Sequence, residues 1–196
     1  MNIKEYTQDL HTQLEALPFN QRMFKGEQTD IERMAYIYAN IEIFEELDWH
    51  VPFSLKRLDS LKDAYAVLND RLSTVDISSM HSALNFINLP GISTIQAYKH
   101  YLKHVCTDLR PHIYLNYMGF MFGGQIMKKR YPVSAGMYEF DNIDWCRSHI
   151  RESVQPQSFD TEPYGYPQQF VHEVKVGFRF HIAITQNLTE ATYDLG

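Results

Sequence analysis

Apolar residues recur at intervals of three or four along most of this chain, and that spacing is typical of amphipathic helices. In the first such segment the apolar positions are Ile3, Tyr6, Leu10, Leu14 and Leu17. Because the residue before a proline is disfavoured in helical conformation, this segment is expected to end before Pro18. The pattern predicts a helix from Ile3 to Leu17, with His11 one position away from the apolar stripe.

A capping box marks the start of the second predicted helix. Thr29 and Glu32 stand three residues apart, so each side chain can accept a hydrogen bond from the other's backbone N–H. The helical spacing then continues through Met34, Tyr38, Ile41 and Phe44 towards Trp49 and Pro52. Residues 54–72 predict one helix or two short ones, and residues 73–79 have the composition of a turn.

The second half of the chain shows the same period. Helical spacing resumes over 92–105, and the longest apolar segment runs over 109–130, closed by Pro132. A loop with Pro132 and Gly136, a helix over 142–154 and a connector rich in Pro, Gln and Tyr over 155–167 follow. The last helix has its apolar face at Phe170, Val174, Phe178, Ile182 and Thr185. No segment alternates like a strand, so we predict an all-α single domain over residues 1–196.

Composition narrows the function classes. The formal net charge of -6 argues against general nucleic-acid binding, which requires a basic face. Cys106 and Cys146 are the two cysteines and form no CxxC motif, so we expect buried free thiols in a reducing compartment. The first residues lack an apolar signal region, and no stretch has the length of a membrane span. These features predict a soluble cytoplasmic protein with no membrane or nucleic-acid partner.

The first predicted helix contains a candidate metal ligand. His11 and Glu15 are four residues apart and therefore share one helix face. A carboxylate near Nδ1 of an imidazole fixes the tautomer and orientation of the ring while Nε2 binds a metal ion. The same spacing is also typical of an ordinary surface pair, and the pattern alone leaves both interpretations open.

Three glycines lie within the longest apolar segment, at Gly119, Gly123 and Gly124. Glycine inside a helix costs about 1 kcal/mol relative to alanine, so three of them require a reason. One reason is the close approach of bare backbone to a flat ligand; glycine also lowers the cost of a kink over that ligand. The alternative is close packing of helices through small residues.

These motifs resemble those of the haem oxygenases, in the same order along the chain. His11-Thr12-Gln13 is similar to the proximal ligand sequence of that family, and residues 114–125 are similar to its distal helix, Tyr-x-Arg-Tyr-Leu-Gly-Asp-Leu-Ser-Gly-Gly-Gln. Further likeness occurs at residues 24–26, 98–103 and 147–148 and around Phe178. The resemblance implies an all-α helical bundle with haem between a proximal and a distal helix.

The resemblance also implies residue roles and a reaction. His11 would bind the haem iron, with Glu15 orienting it, and the three glycines would form a flexible distal wall. Lys4, Tyr114 and Arg147 would hold the haem propionates. Phe178 on the last helix would also contact the haem. The implied enzyme is a monomer that converts haem, both cofactor and substrate, to biliverdin, CO and ferrous iron. Oxygen and electrons from a donor such as ferredoxin or a reductase would drive the reaction.

The distal motif departs from the family at three positions. Phe120 stands where the family has an aspartate, Asn116 where it has an arginine, and Phe122 where it has a serine. The family's aspartate organises water that delivers protons, and phenylalanine cannot do this. We hypothesise that a water chain through His181 replaces the aspartate, with contributions from Asn116 and Tyr114. A plainer explanation for His181 is a partly buried side chain bonded to a backbone carbonyl.

Two other function classes stay open at this point. Loss of the distal aspartate favours a non-catalytic haem carrier, sensor or pseudoenzyme on the same fold. A thiaminase-like or di-iron enzyme is a third possibility, although the inward Glu-x-x-His pairs of a di-iron bundle are not visible. His100 and His104 lack the glutamate of HExxH, and no GxSxG, P-loop or GxGxxG motif occurs.

Overall fold

A computed structural model describes residues 3–73, 91–153 and 166–193 of the chain. Every regular element in these three ranges is helical, which confirms the predicted all-α class. The α-helices are α1 (Ile3–Ala16), α2 (Pro18–Lys25), α3 (Asp30–Leu47), α4 (Leu58–Ser73), α5 (Gly91–His100), α6 (Arg110–Arg130), α7 (Ile143–Ser153) and α8 (Tyr166–Tyr193). None of these helices has the length and apolar character needed to cross a bilayer.

Local signals account for the helix ends in the first part of the chain. Helix α1 ends at Ala16, as the proline predicts, and Thr29 and Glu32 form the expected capping box of α3. Helix α2 was not predicted, because the proline rule applied to Pro18 marks only the end of α1. Proline is also favoured in the first turn of a helix, and Pro18 begins α2, which ends at Gly26 with a φ of 79°.

Short tight helices connect the longer ones. The 3₁₀ turns are Asp48–His50, Phe53–Leu55 and Pro132–Tyr138, and a π-helical turn, Tyr101–Val105, follows α5. The segment predicted over 54–72 is therefore a 3₁₀ turn and one helix, and the predicted loop at Pro132 and Gly136 is 3₁₀-helical. The turn predicted after Ser73 and most of the connector predicted over 155–167 lie outside the described residues.

The buried apolar residues form two clusters. The larger one joins α3, α4, α6 and the Pro132–Tyr138 turn, with Phe44, Leu61 and Met121 fully buried. The smaller cluster consists of three α8 residues, Phe170, Val174 and Phe178, on which α1 and α6 pack. Helix α8 thus supports both of the helices that carry the candidate site.

The cysteine prediction is half confirmed. Both thiols are free in the structure, but only Cys146 is buried, within the larger apolar cluster. Cys106 is half-buried at the end of the π-helical turn.

Candidate functional site

Helices α1 and α6 pack on one face of α8, and the smaller apolar cluster forms the floor between them. Leu10 and Leu14 reach this floor from α1, and Tyr114 and Leu115 reach it from α6. The floor residues themselves are at most 5% exposed. We call this arrangement the α1–α6 cleft.

His11 lies at the α1 edge of the cleft. Its ring meets the ring of Phe178 edge-on, with centroids 5.9 Å apart, and Nδ1 lies 3.5 Å from Oε2 of Glu15. The His11 side chain is 49% exposed, and no described residue forms a hydrogen bond with its Nε2. The carboxylate therefore faces one nitrogen of the ring, and the other is available to bind a ligand.

The glycines of α6 divide into two groups. A Cβ atom on Gly119 or Gly123 would meet no atom of the described residues within 4 Å, so packing does not require glycine there. A Cβ on Gly124 would lie 2.4 Å from Cδ1 of Tyr138, so this residue is needed for packing. Both explanations offered for the glycine set thus apply, but to different residues, and Gly124 is not part of an open wall.

Gly119 and Gly123 continue the stripe of α6 that begins at the cleft floor. Leu115, Gly119 and Gly123 follow one another at intervals of four, and Leu115 packs on α8. At Gly119 and Gly123 this stripe has no side chains. Two apolar side chains next to it are unusually exposed, Phe122 at 46% and Ile126 at 51%. The result is an open apolar surface with accessible backbone.

Phe120 was expected among the catalytic positions, but the structure places it in the larger core. It is 4% exposed, and its ring centroid lies 4.9 Å from that of Phe44 and 5.3 Å from that of Tyr138. Helix geometry explains this position, because a residue next to Gly119 points about 100° away from it. The residue at the aspartate position therefore packs in the core and does not line the cleft.

Two of the three residues expected to bind propionates are available for this role. Lys4 is exposed on α1, and Tyr114 is half-buried, with its ring 6.1 Å from that of Phe170. Arg147 instead donates from Nη2 to the backbone oxygen of Met121 at 2.6 Å. Its guanidinium also stacks on Phe122, 4.3 Å from the ring centroid. These contacts hold Arg147 against α6, and the expected role does not fit its position.

Arg151 is a further cation near the site, and it was not among the predicted site residues. It lies one turn after Arg147 on α7, it is exposed, and its guanidinium is 5.8 Å from the ring centroid of Phe122. Its charge also reaches Tyr114, whose pKa is raised by burial and lowered in part by Arg151. The spacing of four from Arg147 was the available signal, since it places both arginines on one helix face.

Asn116 and His181 form a direct hydrogen bond between α6 and α8. Nδ2 of Asn116 donates to the backbone oxygen of His112 at 2.8 Å, which leaves its Oδ1 to accept from Nε2 of His181 at 2.9 Å. The partner of His181 is thus an amide side chain and not the backbone carbonyl considered above. Burial, with a further effect of nearby His112, lowers the pKa of His181 to about 4. The ring is neutral at pH 7, and its Nδ1 is a hydrogen-bond acceptor.

The same contacts continue into a buried polar chain that was not predicted. The hydroxyl of Tyr98 lies 2.9 Å from Nδ1 of His112, and Nε2 of His112 lies 3.2 Å from Oε2 of Glu173. Tyr101 donates its hydroxyl to the same carboxylate oxygen at 2.7 Å. His112 is completely buried, and burial lowers its pKa although Glu173 opposes that effect.

Gly177 makes this close approach of α6 and α8 possible. A Cβ atom there would lie 2.6 Å from Cδ2 of Leu115 and 3.1 Å from Nδ1 of His112. A glycine within the apolar run of a long helix was the signal in the sequence, by the same argument used for α6.

Comparison with known proteins identifies the fold. No family model matches the chain, and no curated protein does. Among solved structures, heme oxygenase from Leptospira interrogans is similar, with a TM-score of 0.68 and 17% identity over 93% of this chain and 96% of that one. Heme oxygenase-1 from Synechocystis sp. PCC 6803, in complex with heme, has a TM-score of 0.69 and 18% identity over 98% and 95%. Heme oxygenase-2 from the same organism, in complex with heme and NO, has a TM-score of 0.74 and 17% identity over 99% of this chain and 86% of that one.

These likenesses agree with the resemblance inferred from the sequence motifs. At 17–18% identity they establish the architecture of the chain, which is the heme oxygenase fold. The predicted fold class is confirmed. The activity of the protein depends on the residues of the cleft, because one fold supports different functions.

Proposed function

We propose that this protein is a haem oxygenase, which binds haem in the α1–α6 cleft and cleaves it to biliverdin, CO and ferrous iron. Oxygen is the oxidant, and an external donor such as ferredoxin or a reductase supplies the electrons. The main support is the pairing of an available imidazole with bare helix backbone. His11 keeps Nε2 free beside an apolar floor, and Gly119 and Gly123 are not required for packing.

The side chains of the cleft fit a flat apolar molecule with carboxylates at one edge. Phe178, beside the ring of His11, would contribute apolar contact, and His11 would contribute an imidazole nitrogen donor for iron. Lys4, Tyr114 and Arg151 would hold the propionates, because buried carboxylates need cationic or hydroxyl partners. Arg147 would position Phe122 through its stacking contact. When bound, haem supplies both the iron that reacts with oxygen and the ring that is oxidised.

His181 has the properties required of a residue that holds a proton-delivering water. Its Nε2–H is fixed by Asn116, and Nδ1 is left as an acceptor on a neutral ring. Asn116 is a positioning residue, since it sets the orientation and tautomer of that ring. We propose that His181 holds the water whose role in the resembled family depends on the aspartate. Gly119 leaves room for it on α6.

Titration with haemin, followed by reductant under air and analysis of the pigment, tests the proposed function. We expect a one-to-one complex that yields biliverdin and CO. The His181→Ala variant should bind haemin normally and open the ring slowly, and unimpaired ring opening by this variant would refute the role of His181. Failure of the wild-type chain to bind haemin would refute the proposed function itself.

A haem carrier or sensor is the second candidate, and the position of Phe120 favours it. Helix α6 contains no Asp or Glu, and the residue at the aspartate position is packed in the core, so α6 presents no acidic side chain to the cleft. The two candidates differ in one result. A carrier binds haemin through His11 and returns it intact after reductant and air are added.

Several further expectations stay predictions. They are a single domain over residues 1–196, a monomeric state, a cytoplasmic location and the absence of membrane and nucleic-acid partners. Light scattering during size-exclusion chromatography tests the monomer, and limited proteolysis tests the single domain.

A further inference from the structure

We propose that Cys106, His112 and Glu173 form a binding site for a divalent transition metal ion of the Zn²⁺ type, separate from the haem cleft. The sulfur atom, one imidazole nitrogen and one carboxylate oxygen of these residues all lie within 4.8 Å of one another. They come from three elements, namely the end of the π-helical turn, the first turn of α6 and the middle of α8. Cys106 and His112 are six residues apart at the start of α6, and the packing of α8 on α6 brings the distant Glu173 to them.

The distances suit a shared tetrahedral ion. Zn²⁺ binds imidazole nitrogen and carboxylate oxygen at about 2.0–2.1 Å, so two such ligands at the tetrahedral angle are about 3.3 Å apart. Nε2 of His112 lies 3.2 Å from Oε2 of Glu173. Thiolate, imidazole and carboxylate together are a ligand set that favours zinc over magnesium or calcium. Three protein ligands leave a fourth position for water.

Surrounding groups orient the ligands as they do in known metal sites. The hydroxyl of Tyr98 lies 2.9 Å from Nδ1 of His112 and can accept the Nδ1–H, which leaves Nε2 for the metal. The hydroxyl of Tyr101 donates to the carboxylate of Glu173 at 2.7 Å. Cys106 directly follows a π-helical turn, in which its N–H donates to the backbone oxygen of Tyr101 at 2.8 Å. Such turns are rare and occur frequently at functional sites.

One of the three ligands lies at the edge of a partly open cavity. A cavity of about 220 Å³ borders Glu173, and its other lining residues are Asp108, Arg110, Pro111, Gln169 and Phe170. The carboxylate of Glu173 is therefore the ligand that an ion entering from this cavity would meet first. Without metal, the Cys106 thiol donates to the backbone oxygen of Asp108 at 3.1 Å, so metal binding must replace that contact.

The proton balance of binding follows from these groups. Without metal, the Cys106 thiol carries the proton that it donates to the backbone oxygen of Asp108. Binding of M²⁺ forms the metal–sulfur bond, breaks the S–H bond and releases one proton to solvent. His112 would bind the metal through Nε2 while its ring proton stays on Nδ1 beside the hydroxyl of Tyr98, so it releases none. Apparent affinity should therefore fall as the pH falls, because protons compete with the metal ion for the thiolate.

Titration of the full-length chain with Co²⁺, read by absorption, is the direct test. Cobalt replaces zinc in such sites, and its bond to a thiolate gives a charge-transfer band. We expect one equivalent to bind with that band, and Zn²⁺ to displace it. Cys106→Ser should abolish the band and weaken binding more than about 100-fold, beyond the 10–100-fold effect of an outer partner. Cys146→Ser is the matched control, because its sulfur is buried in the larger apolar cluster.

Two further variants keep the test decisive. Glu173→Gln removes a ligand oxygen charge while retaining the shape of the side chain, so it reports on the site if Cys106→Ser unfolds. The rings of His100 and His104 lie 4.8 Å apart and offer a competing two-histidine site, which the double variant His100→Gln/His104→Gln removes. Wild-type affinity in Cys106→Ser, or loss of binding only in the His100/His104 variant, would overturn the proposal. Bound haemin at the α1–α6 cleft should not change the cobalt band.

Discussion

Glycines have different structural roles on two sides of helix α6, the side that packs on the Pro132–Tyr138 turn and the side that faces the cleft. On the side of the Pro132–Tyr138 turn, Gly124 fits against the ring of Tyr138, and no larger residue has space. On the side of the cleft, Gly119 and Gly123 have open space where a Cβ would stand. A single sequence pattern thus combines one residue required for folding with two that folding does not explain. Gly119 and Gly123 are the two that folding does not explain, and their open space is what a flat ligand would require.

The largest effect should come from an attempt to restore the aspartate of the family motif. Phe120→Asp would place a carboxylate without a partner between Phe44 and Tyr138 in the core. Loss of the buried ring together with burial of an unpaired charge should lower the free energy of unfolding by about 4 kcal/mol or more. Urea denaturation measures this loss. A stable Phe120→Asp variant with faster ring opening would contradict the placement of Phe120.

Filling the open side of α6 should affect ligand binding without affecting stability. Gly123→Leu introduces a side chain into the cleft, so haemin affinity should fall about 100-fold or more, equivalent to about 2.7 kcal/mol. The free energy of unfolding should stay constant or rise by up to about 1 kcal/mol, since glycine is unfavourable in helices. Haemin titration and thermal melting of the same sample measure both quantities. Val67→Ala, at an exposed apolar position on α4, is the control for a general surface change.

The contact of α6 with α8 through Asn116 and His181 should make the free energy of unfolding depend on pH. The pKa of His181 is about 4 in the folded protein and about 6.5 when unfolded, so below pH 6.5 the unfolded chain binds more protons. Burial of the neutral His181 ring leaves the free energy of unfolding at its full value above pH 6.5. This stability is lost as the pH falls from 6.5 towards 4. We expect a loss of about 2–3 kcal/mol over that range, smaller in His181→Gln. Equal pH profiles for both proteins would contradict this account.

The smallest effect should be seen at the packed glycine. Gly124→Ala forces its methyl group against Tyr138, and such overpacking costs about 1–3 kcal/mol, partly offset by better helix propensity. We expect a net loss of about 1–2 kcal/mol in the free energy of unfolding. Haemin affinity should be unchanged. Gly124→Ala in a Tyr138→Leu background should show little additional loss, and an undiminished loss there would mean that Tyr138 is not the obstacle.

Short-range signals predicted the architecture well. The Thr29 and Glu32 capping box and the apolar period of α6 involve residues within one or two helix turns, and both are present in the structure. The Pro18 helix start was missed because proline stops one helix and begins another with the same local geometry. The pairing of His11 with Glu15 was also predictable, since both lie on one helix turn.

Long-range contacts were outside the reach of the sequence patterns. Tyr98, His112 and Glu173 come from three helices, and nothing in the spacing of the residues indicates that they meet. Arg147 was assigned a role by resemblance, but its contact with the backbone of Met121 depends on how α7 packs on α6. The division between Gly124 and the other two glycines likewise depends on where Tyr138 lies.

The spectrum of the haemin complex tests the central claim most directly. We predict that the full-length chain forms a one-to-one complex with the absorption and EPR spectra of a histidine-bound haem. The His11→Ala variant should lose that spectrum, and free imidazole should restore it by occupying the space of the missing ring. An unchanged spectrum in His11→Ala would contradict the account, because the iron would then be bound by another residue.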